Sequence, residues 1–300
     1  MKIILLMVLF GLAVSHTNGQ ITYGKSLKET NDILYVEGSK IENDSLQRLN
    51  IILPVGSSDY PLLIWIGGGA WSYVNRNMEM DLGRKFAEQQ IAFASIGHRL
   101  SSAIWKDSTL THGVRHPEHI KDVAAAFKWL YDHASNFGYS QNLIFVGGFS
   151  SGAHLTALHA MDKSYLKEVG LSTDKIKGII PIAGAYDILD YYKVFLNSES
   201  NSSMADTHVK AVFGETEHDF IAASPTEYIN NLSTPMLLLS ENNTYNYTKI
   251  FEDKIRTTKY RNFQVIHIHR MGHGELWRDL SYDENSVYRD FIVNFIKTIR

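Results

Sequence analysis

The sequence lacks cysteine altogether among its 300 residues. Disulfide bonds, thiolate metal sites and cysteine nucleophiles are therefore excluded. An excess of one charge is also lacking, because 29 Lys and Arg stand against 32 Asp and Glu, for a formal net charge of −3. A balance this close to neutral gives no indication of a nucleic-acid partner. Repeats, low-complexity tracts and linkers are absent between residues 21 and 300, so we expect one domain.

The first twenty residues read MKIILLMVLFGLAVSHTNGQ, a lysine followed by an apolar run over residues 3–14 and then small polar residues. The run is too short to span a bilayer comfortably, and the layout is typical of a cleaved export signal. We therefore expect a signal peptide over residues 1–19, cleaved after Ser15 or Gly19, and a mature domain over residues 20–300. The expected location is secreted or periplasmic, without a stable membrane anchor.

Short apolar runs alternate with longer segments of helical periodicity after two adjacent N-terminal runs. Nearly unbroken runs of this kind are typical of strands covered on both faces. The pattern predicts an α/β sandwich with a mostly parallel sheet and an antiparallel edge. A polar stretch over residues 188–224 interrupts the rhythm and is interpreted as an insertion above the sheet, where a substrate would enter. The predicted strands cover residues 33–36, 49–53, 62–66, 91–96, 143–146, 179–182, 236–239 and 263–268, and the predicted helices 80–90, 117–133, 152–162, 247–257 and 285–299.

The segment Gly148-Phe149-Ser150-Ser151-Gly152 has the spacing G-x-S-x-G between a predicted strand and a predicted helix. In that context the central serine is a candidate nucleophile on a strained turn, and larger side chains two residues to either side would collide with the neighbouring strand and helix. The same turn places the backbone N–H of Ser151 at a helix N-terminus, where it can face an oxyanion.

A second glycine segment, Gly67-Gly68-Gly69 followed by Ala70 and Trp71, comes directly after a predicted buried strand. Such a loop lets backbone N–H groups approach a tetrahedral intermediate without steric obstruction. Three histidines compete for the role of the base: His267 and His269 alternate in or beside the last strand, whereas His273 lies beyond it between two glycines. We prefer His273, because a base must come from a loop over the carboxyl ends of the strands.

Five ordered motifs together resemble the α/β-hydrolase superfamily, and within it the esterases related to hormone-sensitive lipase and the bacterial bifunctional feruloyl and acetyl-xylan esterase (BD-FAE-like) group. The resemblance implies an α/β-hydrolase fold with a mostly parallel eight-stranded sheet, flanking helices and a small cap-like insertion. It also implies Ser150 as nucleophile, His273 as general base and the N–H groups of Gly68, Gly69 and Ser151 as the oxyanion hole. The motifs are G-G-G-A-W, Gly97-His98-Arg99-Leu100-Ser101, P-E-H-I-K-D-V with F-K-W-L, G-x-S-x-G-A-H-L, and G-H-G.

The third member of the triad departs from the family pattern. An aspartate is expected after the strand over residues 236–239, but the chain reads Ser-Glu-Asn-Asn-Thr there, with Asn243 at the position of the acid if one deletion is allowed and Thr244 otherwise. Three outcomes stay open: Glu241 supplies the charge, Asp187 supplies it from an earlier strand end, or Asn243 orients the imidazole without charge. The last is costly, since the corresponding Asp to Asn change in a serine protease lowers the rate by about 10,000-fold.

Other departures carry less weight. The family's histidine before the three glycines is Ile66 here, and its Y-R-L tyrosine is His98, which we interpret as a packed support. Asp122 is expected to pair with Arg99. His112, His116 and His119 do not have convincing zinc spacing, so no metal is expected.

The sequence thus predicts a serine hydrolase that cleaves carboxylic esters through an acyl-enzyme, with no cofactor, acting on a small-molecule or polysaccharide-linked ester. Two alternatives are compatible with the same sequence. One is a non-catalytic ligand-binding protein that keeps the fold after losing its acid, and the other is an amide or formamide hydrolase.

Overall fold

A nine-stranded sheet lies at the centre of the structure, a computed structural model that describes residues 20–23, 27–36, 46–56 and 58–299. The predicted signal peptide, residues 1–19, lies outside the described residues. The strand order is β1-β2-β3-β5-β4-β6-β7-β8-β9. The strands are β1 (Gln20–Tyr23), β2 (Leu27–Leu34), β3 (Arg48–Pro54), β4 (Tyr60–Ile66), β5 (Ala92–Ile96), β6 (Tyr139–Phe149), β7 (Gly178–Ile182), β8 (Met236–Glu241) and β9 (Phe263–Ile268).

The sheet is antiparallel at one edge and parallel elsewhere. The pairs β1–β2, β2–β3 and β3–β5 are antiparallel, and every pairing from β5 through β4 to β9 is parallel. This confirms the predicted mostly parallel sheet with an antiparallel edge. The eight predicted strands are all present, and β1 adds a ninth outside them at the edge. Parallel strands end at a common edge, so the loops after β4, β6, β8 and β9 can converge on one site.

Strand β4 shows how the sheet divides two apolar layers. All seven of its residues are buried, with Ile64 and Ile66 in the cluster on one face and Leu63 and Trp65 in the cluster on the other. Alternate side chains of a strand point to opposite faces, so a strand covered on both sides reads as an unbroken apolar run. Each such side chain contributes about 1.5–3 kcal/mol when fully buried.

Helices cover both faces of the sheet. Helices α2 and α4 contribute to the first cluster, and α1, α10 and α11 contribute to the second. The helices are α1 (Met80–Glu88), α2 (Glu118–Asp132), α3 (Ala134–Phe137), α4 (Ser151–Met161), α5 (Lys163–Glu168), α6 (Ile188–Leu196), α7 (Ala211–Phe213), α8 (Glu217–Ala222), α9 (Tyr245–Thr257), α10 (His273–Tyr282) and α11 (Val287–Thr298), with 3₁₀ turns at Arg76–Glu79, Thr173–Lys175 and Pro225–Asn231 and a π-helical turn at Ala205–Lys210.

Helix α4 and the segment from α6 to α8 frame the region above the sheet. Every residue of α4 is buried, which makes it the central helix of the domain. The predicted insertion over residues 188–224 contains α6, the π-helical turn, α7 and α8. Within the described ranges, we find no helix that combines the length and the apolar character needed to cross a membrane.

Candidate active site

Ser150 lies at the sharp turn between β6 and α4. Its backbone has φ 56° and ψ −118°, a conformation that costs a non-glycine residue free energy and is found where the surrounding structure enforces it. The backbone N–H of Ser150 donates to the carbonyl of Ile182 at 2.8 Å, which ties the turn to β7. The side chain is thereby lifted out of the sheet at the carboxyl ends of the strands.

The two glycines that flank Ser150 allow strand and helix to approach closely. A Cβ atom on Gly152 would lie 1.9 Å from the carbonyl oxygen of Ile66, and one on Gly148 would lie 2.5 Å from the carbonyl oxygen of Gly152. Both clashes are with backbone atoms, which cannot move aside as a flexible side chain could. The turn around Ser150 therefore requires glycine at both positions.

The glycine loop after β4 lies against Ser150. A Cβ atom on Gly68 would be 3.2 Å from the Cβ of Ser150. Within the described part of the chain, the backbone N–H groups of Gly68 and Gly69 donate to no backbone acceptor, and Ser151 is the first residue of α4, where an N–H group has no intrahelical partner. Unpaired backbone donors beside a nucleophile are the geometry that an oxyanion hole requires.

His273 is the first residue of α10, directly after the loop on which it was expected. Its Nδ1 lies 3.0 Å from Oε1 of Glu241, and its ring lies 4.7 Å from that of Phe149, the neighbour of Ser150. A carboxylate facing Nδ1 requires the proton on that nitrogen, which leaves Nε2 able to accept another.

Glu241 is the last residue of β8 and is 1% exposed. Besides His273, its carboxylate accepts from the backbone N–H of Asn243 at 2.5 Å, from the backbone N–H of Thr244 at 3.2 Å and from the Thr244 hydroxyl at 2.9 Å. Burial alone would raise the pKa of Glu241, but these hydrogen bonds outweigh it and leave the pKa below its usual value. The group is therefore a carboxylate at neutral pH.

Of the three residues that the sequence left open for the acid, Glu241 is the one whose carboxylate lies beside the His273 ring. Asn243 does not face the imidazole ring: its Oδ1 accepts from the backbone N–H of His273 at 3.0 Å and so holds the loop. Asp187 caps α6 and forms an ion pair with Lys254 at 2.8 Å. Glu241 ends β8, and its side chain is long enough to reach Nδ1 of His273 from that position.

Two cavities meet at Ser150 and His273. One, of about 250 Å³, is lined by the glycine loop, by Phe149 and by Trp277 of α10. The other, of about 330 Å³, is lined by Trp71, Ser151, Asn243 and aromatic side chains that include Tyr191 and Phe195 of α6. The segment predicted as an insertion thus forms one wall of the site.

Glu79 was not singled out from the sequence, yet it lines the first cavity. It is 3% exposed, and its Oε2 accepts from Nε1 of Trp65 at 2.9 Å. Burial raises the pKa of Glu79 to about 7 in spite of hydrogen bonds from Trp65 and Trp277. No motif indicates this residue, and only the fold brings it beside the glycine loop.

His154 connects three segments around the site. Its Nδ1 accepts from Nε1 of Trp71 at 3.2 Å, and its Nε2 lies 2.8 Å from the carbonyl oxygen of Ala223, just after α8. The carbonyl can only accept, so the ring proton is on Nε2. From the sequence, His154 could have been singled out only by its position in the helix that follows Ser150.

The remaining histidines named from the sequence lie away from this geometry. His98 is buried, with Nδ1 2.7 Å from the carbonyl oxygen of Arg99, and burial lowers its pKa. His267 bridges Ser240 and Glu252, and His119 contacts Ser101. Across the described residues, no group of three or more potential ligands could hold a metal ion.

The predicted pair of Arg99 and Asp122 is present. The guanidinium Nε lies 2.9 Å and Nη2 lies 2.7 Å from the two carboxylate oxygens, and the backbone N–H of Arg99 adds a third contact at 2.8 Å. A bidentate pair of this kind is among the stronger polar contacts in proteins. It fixes the loop after β5 to helix α2.

Comparisons with known proteins identify the family of the chain. The model of the BD-FAE family matches residues 49–245. Esterase LipC of Mycobacterium tuberculosis is 26% identical over 230 residues, which is 71% of this chain and 53% of that protein. The chain spans about half or less of the length of the first curated relatives it matches.

Solved structures share the fold. Esterase B from Lactobacillus rhamnosis, in an inhibited form, superposes with a TM-score of 0.73 at 18% identity, covering 91% of this chain and 86% of that one. A truncated carbohydrate esterase from gut microbiota gives a TM-score of 0.68 at 17% identity, covering 95% and 98%. At such identities the likeness establishes the α/β-hydrolase fold.

Proposed function

The chain belongs to the BD-FAE family, and from that premise we propose that it hydrolyses carboxylic esters through a serine-linked acyl-enzyme. Ser150 is the nucleophile, His273 the general base and Glu241 the acid of the triad. The observation that carries the proposal is the 3.0 Å contact between Glu241 and Nδ1 of His273, because it supplies the charge that the sequence motif lacks.

The reaction begins when Oγ of Ser150 attacks the ester carbonyl carbon and its proton passes to Nε2 of His273. The carbonyl oxygen becomes an oxyanion, which the N–H groups of Gly68, Gly69 and Ser151 stabilise; each donor of this kind typically contributes about 100- to 1,000-fold in rate. His273 then returns the proton to the leaving alcohol, and the acyl group stays on Ser150. Water, deprotonated by the same imidazole, releases the acid and restores the serine.

Glu241 acts through His273. Its carboxylate holds the imidazole in the tautomer with the proton on Nδ1 and stabilises the imidazolium that forms during attack. The turn donors from Asn243 and Thr244 keep the carboxylate ionised and in place. The alternative of a binding protein without catalysis was motivated by the absence of the family's aspartate, and the contact between Glu241 and His273 supports catalysis instead.

Labelling and turnover together test the proposal. Purified protein is expected to form a covalent adduct with a fluorophosphonate probe and to hydrolyse p-nitrophenyl acetate, and Ser150→Ala should abolish both. Turnover equal in the wild type and in Ser150→Ala would refute the proposal. Parallel rates on an ester and on a formamide of the same acyl size separate an esterase from an amide hydrolase, and a faster formamide reaction would overturn the assignment to esters.

A further inference from the structure

Glu79 forms the inner wall of the cavity that Ser150 and His273 share with the glycine loop. The outer wall of the same cavity includes Tyr73 and Met78, whose side chains are about half exposed, at 49% and 50%. Glu79 itself is 3% exposed. A group that enters past Tyr73 and Met78 therefore meets an acid at the inner end of a largely apolar pocket.

An acid in this position is costly unless something compensates it. A buried carboxylate without a partner loses the hydration that stabilises its charge in water. The two donors to Glu79, the indole groups of Trp65 and Trp277, are both neutral, and no cationic side chain of the described residues forms an ion pair with it. Two oxygens offer about four acceptor positions, so the two indoles do not fill the accepting capacity of Glu79, which lines the cavity.

A hydroxyl group fits this environment better than a cation does. A hydroxyl can donate to the carboxylate and can accept from the protonated carboxyl group, so it is bound in either state of the acid. An ammonium group is complementary to the ionised state alone and must be desolvated among Phe149, Met78 and Trp277. Acids that are desolvated at the wall of a cleft are found preferentially at functional sites.

We propose that Glu79 is a specificity-determining residue that hydrogen-bonds a hydroxyl group on the ester substrate, in the part of the substrate that occupies this cavity. The proposal rests on the ester hydrolysis proposed above. Polyol and sugar esters belong to this substrate class, and simple alkyl esters do not. The preference arises because a plain alkyl group would leave the acid without its partner.

Matched ester pairs test the preference without any variant. The hydroxylated members are 2-hydroxyethyl, 3-hydroxypropyl and 4-hydroxybutyl acetate and methyl 6-hydroxyhexanoate, each measured against the ester that lacks the hydroxyl. The readout is the ratio of kcat/KM within each pair. For at least one chain length we expect a ratio of about tenfold in favour of the hydroxylated ester.

Variants of Glu79 then assign the preference to this residue. Glu79→Met keeps the length of the side chain and removes the acceptor, so the ratio should fall to about one, while Glu79→Gln keeps a neutral hydrogen-bonding group and should give an intermediate ratio. Glu88→Gln is the matched control, because it removes one exposed acid at the far end of α1. The control should keep the wild-type ratio and rate.

The outcomes separate this inference from the proposed function. Ser150-dependent turnover of plain esters with no preference for any hydroxylated partner would overturn the role of Glu79 and leave ester hydrolysis standing. No Ser150-dependent turnover of any ester would overturn both. A Glu79-dependent preference for acetylcholine over 3,3-dimethylbutyl acetate, without one for hydroxylated esters, would replace the hydroxyl with a cation. If Glu79→Met does not fold, the kcat/KM ratios of the wild type and of Glu79→Gln still decide whether Glu79 sets the preference.

Discussion

Replacing Glu241 by glutamine tests the proposed acid while it preserves the shape of the side chain. Both carboxylate oxygens face donors in the structure. Oε1 meets Nδ1 of His273 at 3.0 Å and the Thr244 hydroxyl at 2.9 Å, and Oε2 meets the backbone N–H of Asn243 at 2.5 Å. Glutamine keeps one acceptor oxygen and converts the other to a donor, so either orientation of the amide sets NH₂ against an N–H group.

The size of the effect follows from those two orientations. If NH₂ faces His273, the ring must carry its proton on Nε2, which can then no longer accept the proton of Ser150; the analogous change in a serine protease costs about 10,000-fold. If NH₂ faces Asn243 instead, the tautomer survives, but the turn loses a hydrogen bond and the imidazolium loses its counter-charge. We expect kcat to fall by about 1,000- to 10,000-fold.

The assay is steady-state hydrolysis of p-nitrophenyl acetate at saturation, with Ser150→Ala as the background. Asn243→Ala is the matched comparison. That variant loses one neutral hydrogen bond to the backbone of His273, at 3.0 Å, which is worth about 1 kcal/mol, or about fivefold in rate. Circular dichroism and thermal unfolding of both variants show whether the fold persists.

The relative kcat values of Glu241→Gln and Asn243→Ala decide which residue acts as the acid. Retention of more than about a tenth of the wild-type kcat in Glu241→Gln would refute the assignment of the acid, since a triad without charge is slower by orders of magnitude. A collapse of Asn243→Ala with little effect in Glu241→Gln would reassign the role to Asn243. A collapse in both variants with intact folds would indicate that the loop position matters as much as the charge.

Three further predictions concern the turn, the buried acid and the N-terminus. Gly152→Ala should lower the free energy of unfolding by more than about 3 kcal/mol, because its Cβ would lie 1.9 Å from a backbone oxygen. Gly170→Ala, in open space at φ +77°, should lower it by about 1–2 kcal/mol. Equal losses of the two variants in urea unfolding would contradict this expectation. Folding raises the pKa of Glu79 from 4.5 to about 7, so the folded state binds the proton more tightly and loses stability as the pH rises through that window, by up to about 3 kcal/mol. Glu79→Gln should lack this loss of stability between pH 5 and pH 8. Parallel profiles of unfolding free energy against pH in the wild type and the variant would refute this prediction. Residues 1–19 fused to a reporter should direct its export with cleavage after Ser15 or Gly19, and a reporter that stays unprocessed inside the cell would contradict the proposed location.

The sheet was predictable because burial leaves a direct trace in the chain. Strands β4, β5, β7 and β8 are covered on both faces, so unbroken apolar runs mark them closely. Strand β2 reads LKETNDIL and is half exposed. The apolar run over residues 33–36 therefore predicted only the end of this strand. The edge strand β1 contains no apolar run and was not predicted.

Some site residues were predictable from local sequence motifs, and others depend on contacts that only the fold creates. The turn around Ser150 and the glycine loop are set by contacts between backbones that are close in space, and glycine is the visible mark of such contacts. The partner of His273 could not be fixed from spacing, since Glu241 and Asn243 stand two residues apart and only side-chain reach separates them. Glu79 had no local signal at all, because its surroundings come from β4 and α10.

The bridge through His154 has a consequence for how the molecule opens. One imidazole joins the helix behind the nucleophile, the indole of Trp71 beside the glycine loop, and the carbonyl of Ala223 at the end of the insertion. Opening at Trp71 breaks the bond to Nδ1, opening at Ala223 breaks the bond to Nε2, and movement of α4 breaks both. Since both bonds are made by one side chain of α4, we expect amide hydrogen exchange to report the three segments as one cooperative unit with similar opening free energies.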